Sequence, residues 1–498
     1  MTNLASIIDG HPDEAPALVS RGQVTTYGEL RRQVGELRGG LVRLGIEPGD
    51  RVAIASANNW LFAVSYLAVL GAGAVAVPLN PSSPPAELQT QLAAVEAKVL
   101  VVGPSSRPAA AGLDRAALQL RAVVVPEGVE LDDSTPLQQF FGGEHAPVVE
   151  RGDDDLAVLL FTAGTSGAPK AAMLTHGNLL ANIAQVQSHP GRHVTPDDVA
   201  LGVLPMFHVF GLNVVLGLML SAGASVVLVE RFDPTSSLDT IRDRKVTLVS
   251  GAPPMYSAWA AVDGADPATF ATVRLATSGA APLSEEVAAA FTRRFGIPIR
   301  QGYGLTEAAP VVTSALPDGP EKPASIGVPL PGVEVRLVDE EGEDTFAGDP
   351  GEIWVRGPNV FPGYWRNEEA TAVARTGDGW LRTGDIAVVD DDGWLYIVDR
   401  AKDLIIVSGF NVYPAEVEDV LLEHPGVAAV AVVGVSHPHT GESVKAFVVP
   451  EGGRLVDEDE LIEFCASRLA RYKCPTKIMF VESLPQGVAG KVLRRALR

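Results

Sequence analysis

The sequence predicts an α/β fold with a large N-terminal domain and a small α+β domain after it. The large domain is expected to hold two α/β subdomains with mostly parallel sheets, plus a small β-barrel. Three observations lead to this prediction. Helical patterns alternate with short apolar strands up to residue 302, as in parallel sheets covered by helices. Past Ser325, short alternating runs separated by glycine, proline and aspartate are typical of an antiparallel sheet or barrel. The length of 498 residues exceeds that of a usual single domain.

The first α/β unit begins with an amphipathic helix. Residues 26–30 open a helical pattern that ends at Gly45, and its apolar face is formed by Leu30, Val34, Leu37, Leu41 and Leu44. Residues 51–55 then form a predicted strand, residues 62–70 an apolar helix and residues 74–79 a second strand. Further buried strands are predicted at residues 246–250, 273–278 and 300–302.

A weak internal repeat suggests that a second unit is built like the first. The sequence LGAGA at residues 70–74 corresponds to LSAGA at residues 220–224, and each precedes a strand that ends near a proline, Pro78 or Pro234. The repeat favours two similar α/β units, although an alanine-rich chain also produces such matches by chance.

Two stretches between these units need separate interpretation. Residues 104–152 are irregular and rich in proline and acidic residues, so they are expected to be peripheral. Residues 211–229 are nearly all apolar but contain Asn213 and a Ser-Ala-Gly-Ala break. We interpret them as a buried helix, a turn and a buried strand, and no transmembrane segment is expected.

The hydrophobic pattern of the sequence changes toward the C-terminus. Alternating runs at residues 333–338, 352–356 and 394–398 predict the small sheet or barrel, placed at about residues 325–399. A helix at residues 414–422, strands at 427–435 and 444–449 and a helix at 457–469 predict the final α+β domain. A charged segment at residues 399–403 separates the two, and the boundary is placed at Lys402, giving domains 1–401 and 402–498.

Composition limits the partners of the protein. The formal net charge of −22 argues against nucleic acid and anionic membranes as main partners. The two cysteines, Cys465 and Cys474, are too few for a disulfide framework or a zinc site. With acidic residues near the start and no basic-then-apolar run, no signal peptide is expected, and the prediction is a cytoplasmic protein. The sequence leaves a homodimer open.

The stretch FTAGTSGAPK at residues 161–170 carries the strongest functional signal. It follows an apolar run at residues 156–161 that is predicted to be a buried strand. Backbone N–H groups and hydroxyls of such a loop can turn toward an anion, and Lys170 adds a mobile cation. It is not a Walker loop, because Pro169 precedes the lysine and no serine or threonine follows it. The stretch favours phosphate binding over the alternative, a flexible surface turn.

This loop resembles the phosphate loop of the adenylate-forming enzymes, which include acyl-CoA synthetases, aryl-CoA ligases, beetle luciferases and peptide-synthetase adenylation domains. That family usually has glycine after the lysine, whereas this chain has Ala171 and Ala172. Further stretches match the family in the same order: PMFHVFG at 205–211, SGAAP at 278–282, QGYGLTE at 301–307, WLRTGD at 380–385, DRAKD at 399–403, SGFNVYP at 408–414 and PQGVAGK at 485–491. The resemblance therefore spans nearly the whole chain.

Several of these residues also suit a nucleotide site by their chemistry alone, without the family resemblance. The small residues from Gly279 to Ala281 and the segment before Glu307 follow buried strands, and α/β sheets bind ligands at the carboxyl ends of their strands. Gly279 leaves room for a flat base on which Tyr303 can stack. A carboxylate such as Glu307 is the hard oxygen ligand that Mg²⁺ takes. A lone histidine among apolar residues such as His208 is usually structural.

The resemblance assigns roles to individual residues. Those implied to bind ATP and AMP are Thr162, Thr165, Ser166, Gly167, Lys170, Gly279, Ala280, Ala281, Gln301, Gly302, Tyr303, Gly304, Thr306, Asp385 and Arg400. Those implied to form the acid pocket are His208, Val209, Phe210, Gly211, Gly302 and Gly304. Those implied to act in catalysis are Lys491, His208, Thr306 and Glu307, with Glu307 and Thr165 as the Mg²⁺ ligands. Lys402 is implied to be the hinge of a mobile C-terminal domain, and Ser408 and Gly409 to contact coenzyme A.

The implied chemistry is physically consistent. A carboxylate is already ionised at neutral pH and needs no base to attack ATP, but an anion must approach a polyanion. Cations and N–H donors around the phosphates remove that obstacle. The product is an acyl-adenylate with pyrophosphate leaving, and a thiol attacks the adenylate after the small domain has rotated about its hinge.

The sequence interpretation is an ATP-dependent fatty acid–CoA ligase that uses ATP, Mg²⁺, coenzyme A and a small carboxylic acid. The segment VERFDP at residues 229–234 resembles the fatty-acyl branch, and the wall at residues 208–223 is apolar and has no cation for a second carboxylate. Two alternatives stay open. The segment FHVFGLN at residues 207–213 also fits an aryl-CoA ligase of the coumarate type, and an adenylating ligase that loads a carrier protein would share the same motifs.

Overall fold

The computed structural model describes residues 3–162, 170–191, 193–315, 319, 322, 324–339, 341–400, 405–452, 456–485, 494 and 497. Its helices, in chain order, are α1 Tyr27–Arg43, α2 Trp60–Gly71, α3 Pro85–Val95, α4 Arg107–Ala111, α5 His176–Ser188, α6 Leu218–Ser221, α7 Pro234–Asp243, α8 Pro253–Ala261, α9 Glu285–Phe295, α10 Glu368–Ala374, α11 Pro414–Leu422 and α12 Glu458–Ala466.

The strands, in chain order, are β1 Pro16–Ser20, β2 Gln23–Thr26, β3 Arg51–Ala55, β4 Val75–Leu79, β5 Val99–Val102, β6 Ala122–Val125, β7 Thr135–Pro136, β8 Leu156–Thr162, β9 Lys170–Thr175, β10 Val199–Gly202, β11 Ser225–Leu228, β12 Leu248–Gly251, β13 Leu275–Ser278, β14 Ile299–Gly304, β15 Val311–Ser314, β16 Val328–Pro329, β17 Glu334–Val338, β18 Gly351–Arg356, β19 Gly363–Tyr364, β20 Leu381–Val389, β21 Leu395–Arg400, β22 Ile405–Val407, β23 Phe410–Val412, β24 Val427–His437, β25 Gly441–Pro450 and β26 Lys477–Phe480.

Two large sheets carry the N-terminal part of the chain. One has 9 strands in the order β16-β15-β14-β13-β12-β10-β11-β1-β2, and the other has 8 strands in the order β19-β9-β8-β4-β3-β5-β6-β7. The central pairs of both sheets are parallel, whereas the pairs β14–β15 and β8–β9 are antiparallel. One hydrophobic core includes α1 and α2 and continues into both sheets, and a second packs α3 against the 8-stranded sheet. The predicted α/β architecture with mostly parallel sheets is confirmed.

The first helix begins where the sequence predicts. The Thr26 side chain accepts a hydrogen bond from the Glu29 backbone N–H, and the Glu29 carboxylate accepts one from the Thr26 N–H, which closes a capping box. The predicted apolar residues from Leu30 to Leu41 are buried, and the helix ends at Arg43. Local sequence chemistry is therefore sufficient to start this helix and to aim one face at the core.

The internal repeat corresponds to two equivalent helix–strand units. In the first, α2 leads through Gly73 at φ +73° into β4, and in the second, α6 leads through Gly223 at φ +77° into β11. Left-handed backbone at this position favours glycine and explains why the repeat retains it. The two units lie in different sheets.

One prediction about the connecting stretch is wrong. Residues 104–152 are not wholly peripheral, because β6 pairs in parallel with β5 inside the 8-stranded sheet and Val123, Val124 and Val125 are buried. The apolar run is only four residues long and lacks alternation, so its periodicity could not separate a buried strand from a loop.

The apolar stretch at residues 211–229 folds as predicted. A π-helix, Phe210–Gly217, runs into α6, and a glycine turn leads to the buried strand β11. Among the helices in the described part of the chain, none is long and apolar enough to cross a membrane.

The last third of the chain forms two smaller sheets. The strands β17, β18, β20 and β21 make a four-stranded antiparallel half-barrel, as the alternating runs predict. A five-stranded sheet of β23, β22, β25, β24 and β26 carries α11 and α12 and has its own core around Leu461. These elements match the predicted α+β segment.

Candidate active site

The phosphate-loop motif is bracketed by two paired strands. Thr162, at the end of β8, is the register partner of Lys170, at the start of β9. The hydroxyl of Thr162 donates a hydrogen bond of 3.4 Å to the Lys170 carbonyl. The predicted phosphate ligands Thr165, Ser166 and Gly167 lie outside the described residues, but the two ends of their loop are thereby held together.

A tyrosine joins the lysine of this loop to the predicted metal ligand. The Lys170 ammonium lies over the ring of Tyr364, 5.6 Å from its centroid. The hydroxyl of Tyr364 donates a hydrogen bond of 2.6 Å to Oε1 of Glu307. Burial, and then the charge of Glu307, raise the pKa of Tyr364, so the hydroxyl stays protonated and remains a donor. The cation and the carboxylate therefore lie at one centre.

The alanines that replace the usual family glycine fit into this arrangement. Ala171 and Ala172 are buried within β9, where Ala172 is the register partner of Tyr364. The Ala171 carbonyl accepts a hydrogen bond of 2.8 Å from the Trp365 backbone N–H. The short strand β19 is thus held against β9, which places Tyr364 beside Lys170.

A second tyrosine holds the predicted ribose ligand. The hydroxyl of Tyr303 donates a hydrogen bond of 2.7 Å to Oδ2 of Asp385. Asp385 lies inside β20, where its backbone N–H donates to the Thr383 hydroxyl at 3.1 Å and its register partner in β21 is Arg400. Three residues predicted to bind the nucleotide thus meet across two sheets.

The small residues predicted to receive the base lie at the carboxyl ends of β13 and β14. Ala280 is exposed and has φ +67°, and Gly304 is also exposed. A Cβ on Gly304 would lie 2.2 Å from the Pro310 carbonyl oxygen, so the close approach of these chains requires glycine. Gln301 accepts a hydrogen bond of 3.0 Å from the Leu283 N–H and ties the SGAAP loop to β14.

The strand β14 is longer than predicted. It extends through Gly302 and Tyr303 to Gly304, so these residues are in extended backbone and not in a loop after the strand. The antiparallel partner β15 supplies the additional pairing that sequence periodicity did not reveal. Thr306 and Glu307 follow in a 3₁₀ turn, Thr306–Ala308, and both are half-buried.

Three buried asparagines hold the chain after Glu307 in place. The sequence interpretation did not identify them. Asn213 donates to the Ala309 carbonyl at 2.8 Å, Asn182 to the Val311 carbonyl at 2.8 Å and Asn359 to the Ala308 carbonyl at 2.8 Å. Each satisfies backbone groups of a segment that would otherwise be buried without partners. The available sequence signal was the polar residue inside an apolar helix, as at Asn213.

The predicted acid-pocket residues lie around the start of the π-helix. His208 and Phe210 are half-buried, and Val209 and Gly211 are buried. A Cβ on Gly279 would lie 3.1 Å from the ring of Phe210, and a Cβ on Gly211 would lie 2.3 Å from the Pro205 carbonyl oxygen. The Phe210 ring therefore packs close to Gly279, and Gly211 packs tightly against the Pro205 backbone.

His208 is held as a neutral imidazole. Burial, and then the positive charge of Lys473, lower its pKa from 6.5 to about 4. Its Nε2 has no hydrogen-bond partner among the described residues. A neutral ring with an unsatisfied nitrogen can orient a carboxylate or a thiol without adding charge.

The predicted coenzyme A loop reaches this histidine. Phe410 stacks on Phe207 with centroids 6.3 Å apart and lies 5.3 Å from the His208 ring. Ser408 and Gly409, just before it, have φ +54° and +86°. A Cβ on Gly409 would lie 2.7 Å from the Cβ of Ala252, so the loop contacts the N-terminal part of the chain directly.

One cavity lies between these elements. It is lined by Pro78, Leu79, Asn80, Glu87, Gln91, Phe161, Thr162, Phe207, His208, Glu416, Tyr472 and Lys473. It therefore borders the entry of the phosphate loop at Thr162 and the acid-pocket histidine, His208. The C-terminal segments close it from the opposite side with Glu416 and Lys473.

Like Thr165, Ser166 and Gly167, the predicted residues Lys402 and Lys491 lie outside the described residues. The structure also adds residues that no motif singled out. Tyr364 stands 57 positions from Glu307, and Lys473 stands 386 positions from Glu87. A charged or tyrosine side chain far from its partner leaves no local pattern, so single-sequence reasoning had no signal for these pairs.

The chain matches two protein-family models. Residues 5–365 match the model described as AMP-binding enzyme, and residues 416–491 match the AMP-binding enzyme C-terminal domain. A feruloyl-CoA synthase from an Amycolatopsis species is 41% identical over 485 residues, covering 97% of this chain and 95% of the relative. A long-chain-fatty-acid–CoA ligase from Escherichia coli O157:H7 is 34% identical over 521 residues, covering 97% and 91%.

Solved structures cover the whole chain. ATP-bound MatB from Rhodopseudomonas palustris is 35% identical, covers 100% of this chain and 98% of its own, and has a TM-score of 0.75. A double mutant of o-succinylbenzoate CoA synthetase (MenE) from Bacillus subtilis, bound with its product analogue OSB-NCoA, is 29% identical with the same coverage, and has a TM-score of 0.87.

Proposed function

This chain belongs to the AMP-binding enzyme family, and from that premise we propose that it is an AMP-forming CoA ligase for an apolar aryl monocarboxylic acid. Relatives over nearly the full length are acid–thiol ligases, so the chain is a ligase of that class. The observation that carries the proposal is a cavity that borders both Thr162, at the start of the phosphate loop, and His208.

In the first step, a carboxylate oxygen of the acid attacks the α-phosphorus of ATP. The new P–O bond gives an acyl-adenylate, and the bond to pyrophosphate breaks. Lys170 and Glu307, joined through Tyr364, support this step because one supplies positive charge and the other an oxygen ligand. Mg²⁺ usually takes one or two protein carboxylates plus phosphate oxygens, so the donor set around Glu307 fits the ion.

The nucleotide is proposed to lie between the ends of β13 and β14 and the half-barrel. Tyr303 and Asp385 are hydrogen-bonded, so an aromatic face lies beside the carboxylate that we propose to bind the ribose. Arg400, as the register partner of Asp385, is proposed to reach the ribose or phosphate. The exposed Ala280 and Gly304 leave the space for the base.

In the second step, a thiolate sulfur attacks the acyl carbon and AMP leaves with the oxygen of the cleaved bond. The loop with Ser408 and Gly409 contacts the N-terminal part beside His208, where the thiol must arrive. This contact between the C-terminal loop and His208 supports assigning the present arrangement to thioester formation.

Lys491 and Lys402 enter the proposal through the family resemblance. Lys491 is proposed to approach the phosphates during adenylation, and Lys402 to be the hinge between the two arrangements. Lys491→Ala is expected to abolish adenylation and to spare thioester formation from supplied acyl-adenylate.

Aryl acids are preferred over fatty acids for two reasons. The relative that acts on feruloyl groups is more identical than the fatty-acid ligase, 41% against 34%. The ring of Phe210 also lies close to Gly279, and a flat acid fits beside this ring better than a flexible chain does. Fatty acids, which the sequence segment at residues 229–234 favours, are the second candidate.

A substrate panel tests the proposal. Pyrophosphate release is measured with ferulate, coumarate, benzoate, octanoate, palmitate and malonate, each with ATP, Mg²⁺ and CoA. Turnover is expected to be highest with the cinnamate-like acids and absent with malonate. Turnover confined to octanoate or palmitate would overturn the aryl assignment, and no turnover with any acid would overturn the ligase assignment.

A further inference from the structure

A glutamate on α3 bonds with both of its oxygens to the C-terminal domain. Oε1 of Glu87 accepts a hydrogen bond of 2.8 Å from the Lys473 ammonium. Oε2 accepts one of 3.0 Å from the Ala470 backbone N–H. The carboxylate therefore contacts a charged side chain and a backbone donor that lie far from it in sequence.

The lysine is shared with a second carboxylate. Its ammonium also donates to Oε1 of Glu416, 2.7 Å away at the start of α11. The side chains of Lys473, Glu87 and Glu416 are 9%, 8% and 7% exposed. Burial raises the pKa of Glu416, and Lys473 opposes that rise. Three charged groups are thus withdrawn from water at one point.

Two residues of this triad come from the C-terminal domain and one from the N-terminal domain. Lys473 and Glu416 both belong to the C-terminal domain and keep each other as partners wherever that domain moves. Glu87 belongs to the N-terminal domain, where Gln91 donates a hydrogen bond of 3.4 Å to its Oε1, and its ion-pair partner among the described residues, Lys473, comes from the C-terminal domain. When the domain undocks, the Ala470 N–H and the Lys473 ammonium each lose the Glu87 carboxylate as an acceptor, and the loss of these two hydrogen bonds disfavours undocking.

The triad also lies at the reaction centre. Glu87, Glu416 and Lys473 line the same cavity as Thr162 and His208. Lys473 lies close enough for its charge to act on the His208 imidazole. Docking through Glu87 therefore sets the position of the C-terminal wall of the cavity, including Phe410, which packs on both His208 and Tyr472.

We infer that Glu87 is a positioning residue for thioester formation, because it receives Lys473 and Ala470 and so holds the C-terminal domain in its docked arrangement. The inference rests on the proposed function, in which this arrangement performs the second step. Among the described hydrogen bonds of Glu87, none reaches the ends of the phosphate loop or the nucleotide residues, so we expect its loss to affect the first step less than the second.

The test measures the two half-reactions separately in the full chain. Adenylation is followed as acid-dependent ATP–pyrophosphate exchange, and thioester formation as the conversion of supplied acyl-adenylate and CoA. Glu87→Gln keeps the shape of the side chain and removes its charge. The matched control is Glu96→Gln, at the end of the same helix, where the carboxylate pairs with Arg366 and Arg51 inside the N-terminal domain.

For Glu87→Gln, thioester formation is expected to fall about tenfold or more while exchange stays within about twofold of the wild type. Glu96→Gln is expected to leave both unchanged. Equal loss of both half-reactions in Glu87→Gln would mean a merely structural role, and unchanged thioester formation would mean no role in docking. Absence of both reactions in the wild-type chain would instead contradict the proposed function itself.

Discussion

Two tyrosine hydroxyls hold the two carboxylates of the site. Tyr364 donates to Glu307 at 2.6 Å, and Tyr303 donates to Asp385 at 2.7 Å. A hydrogen bond to a charged group stabilises it more than a neutral bond does, and it also restricts the side chain to one orientation. At the residue scale, the site is therefore a set of carboxylates whose positions are already set by neutral donors.

Removal of the Tyr364 hydroxyl tests whether this donor sets the position of the Glu307 carboxylate. Tyr364→Phe leaves the carboxylate without that donor, at a cost of about 1.5–3 kcal/mol for a charged partner. We expect acid-dependent ATP–pyrophosphate exchange to fall about tenfold and half-saturation by Mg²⁺ to need a higher concentration. The control is Tyr396→Phe, which removes a 3.2 Å hydroxyl bond to Asp390 in the half-barrel. An exchange rate and Mg²⁺ dependence equal to those of the control would contradict the role of Tyr364.

A buried histidine makes stability depend on pH. His176 is fully buried, its Nδ1 accepts a 3.0 Å hydrogen bond from the Leu4 N–H, and its Nε2 has no partner among the described residues. Burial, and then the charge of Arg151, lower its pKa from 6.5 to about 4. Between these values the unfolded chain binds more protons than the folded chain, so stability is complete above about pH 6.5 and falls as the pH drops toward 4.

His176→Asn isolates this contribution, because the asparagine Oδ1 can accept from Leu4 without titrating. Between pH 7 and pH 5 the wild type is expected to lose about 1–2 kcal/mol more unfolding free energy than the variant. Urea unfolding at the two pH values measures the difference. Equal losses in the two proteins would contradict the assignment.

At the scale of elements, the site depends on one loop of the C-terminal domain. The segment before β23 has left-handed backbone at Ser408 and Gly409, and it inserts Phe410 between Phe207 and Tyr472. Glycine is needed because the position has φ +86° and approaches Ala252 too closely for a side chain. The loop is therefore shaped for this docked arrangement.

Gly409→Ala should act on the second step alone. The added methyl group would lie 2.7 Å from the Cβ of Ala252 and would be strained at its own backbone angle. Thioester formation from supplied acyl-adenylate is expected to fall about tenfold, with pyrophosphate exchange retained. Gly452→Ala is the control in the same domain, since a Cβ there meets nothing within 4 Å. A Gly409→Ala enzyme as fast as the control in both steps would refute this reading of the loop.

Local chemistry explains which elements could be predicted. The capping box at Thr26 and the helix at Pro414–Leu422 follow from residues next to one another. The strand β6 could not be recognised, because four apolar residues carry no usable period. The extension of β14 to Gly304 likewise depends on a partner strand that the sequence around it does not identify.

The site itself was predictable only where residues are contiguous. The segment from Gln301 to Glu307 and the Thr162–Lys170 bracket could be identified from spacing and family resemblance. Tyr364 and the triad of Glu87, Glu416 and Lys473 could not, because their partners come from segments 57 and 386 positions away. Such contacts arise from the packing of domains and leave no trace in a single sequence.

At the scale of the whole molecule, a chain of net charge −22 must bind anions. The structure provides positive charge locally at Lys170, which lies beside Tyr364, whereas Lys473 in the cavity wall is balanced by Glu87 and Glu416. A local cation outweighs a distant field because salt screens charges beyond about 8–10 Å. The C-terminal domain contributes the cavity wall at Glu416 and Lys473.

The central claim is that one centre first adenylates an acid and then passes it to a thiol. Rapid-quench analysis of the full chain with ATP, Mg²⁺ and ferulate measures this most directly. Without CoA, the account predicts about one acyl-adenylate and one pyrophosphate per chain, and adding CoA should convert that adenylate to thioester and AMP. Formation of ADP and phosphate, or of thioester with no preceding adenylate, would contradict it.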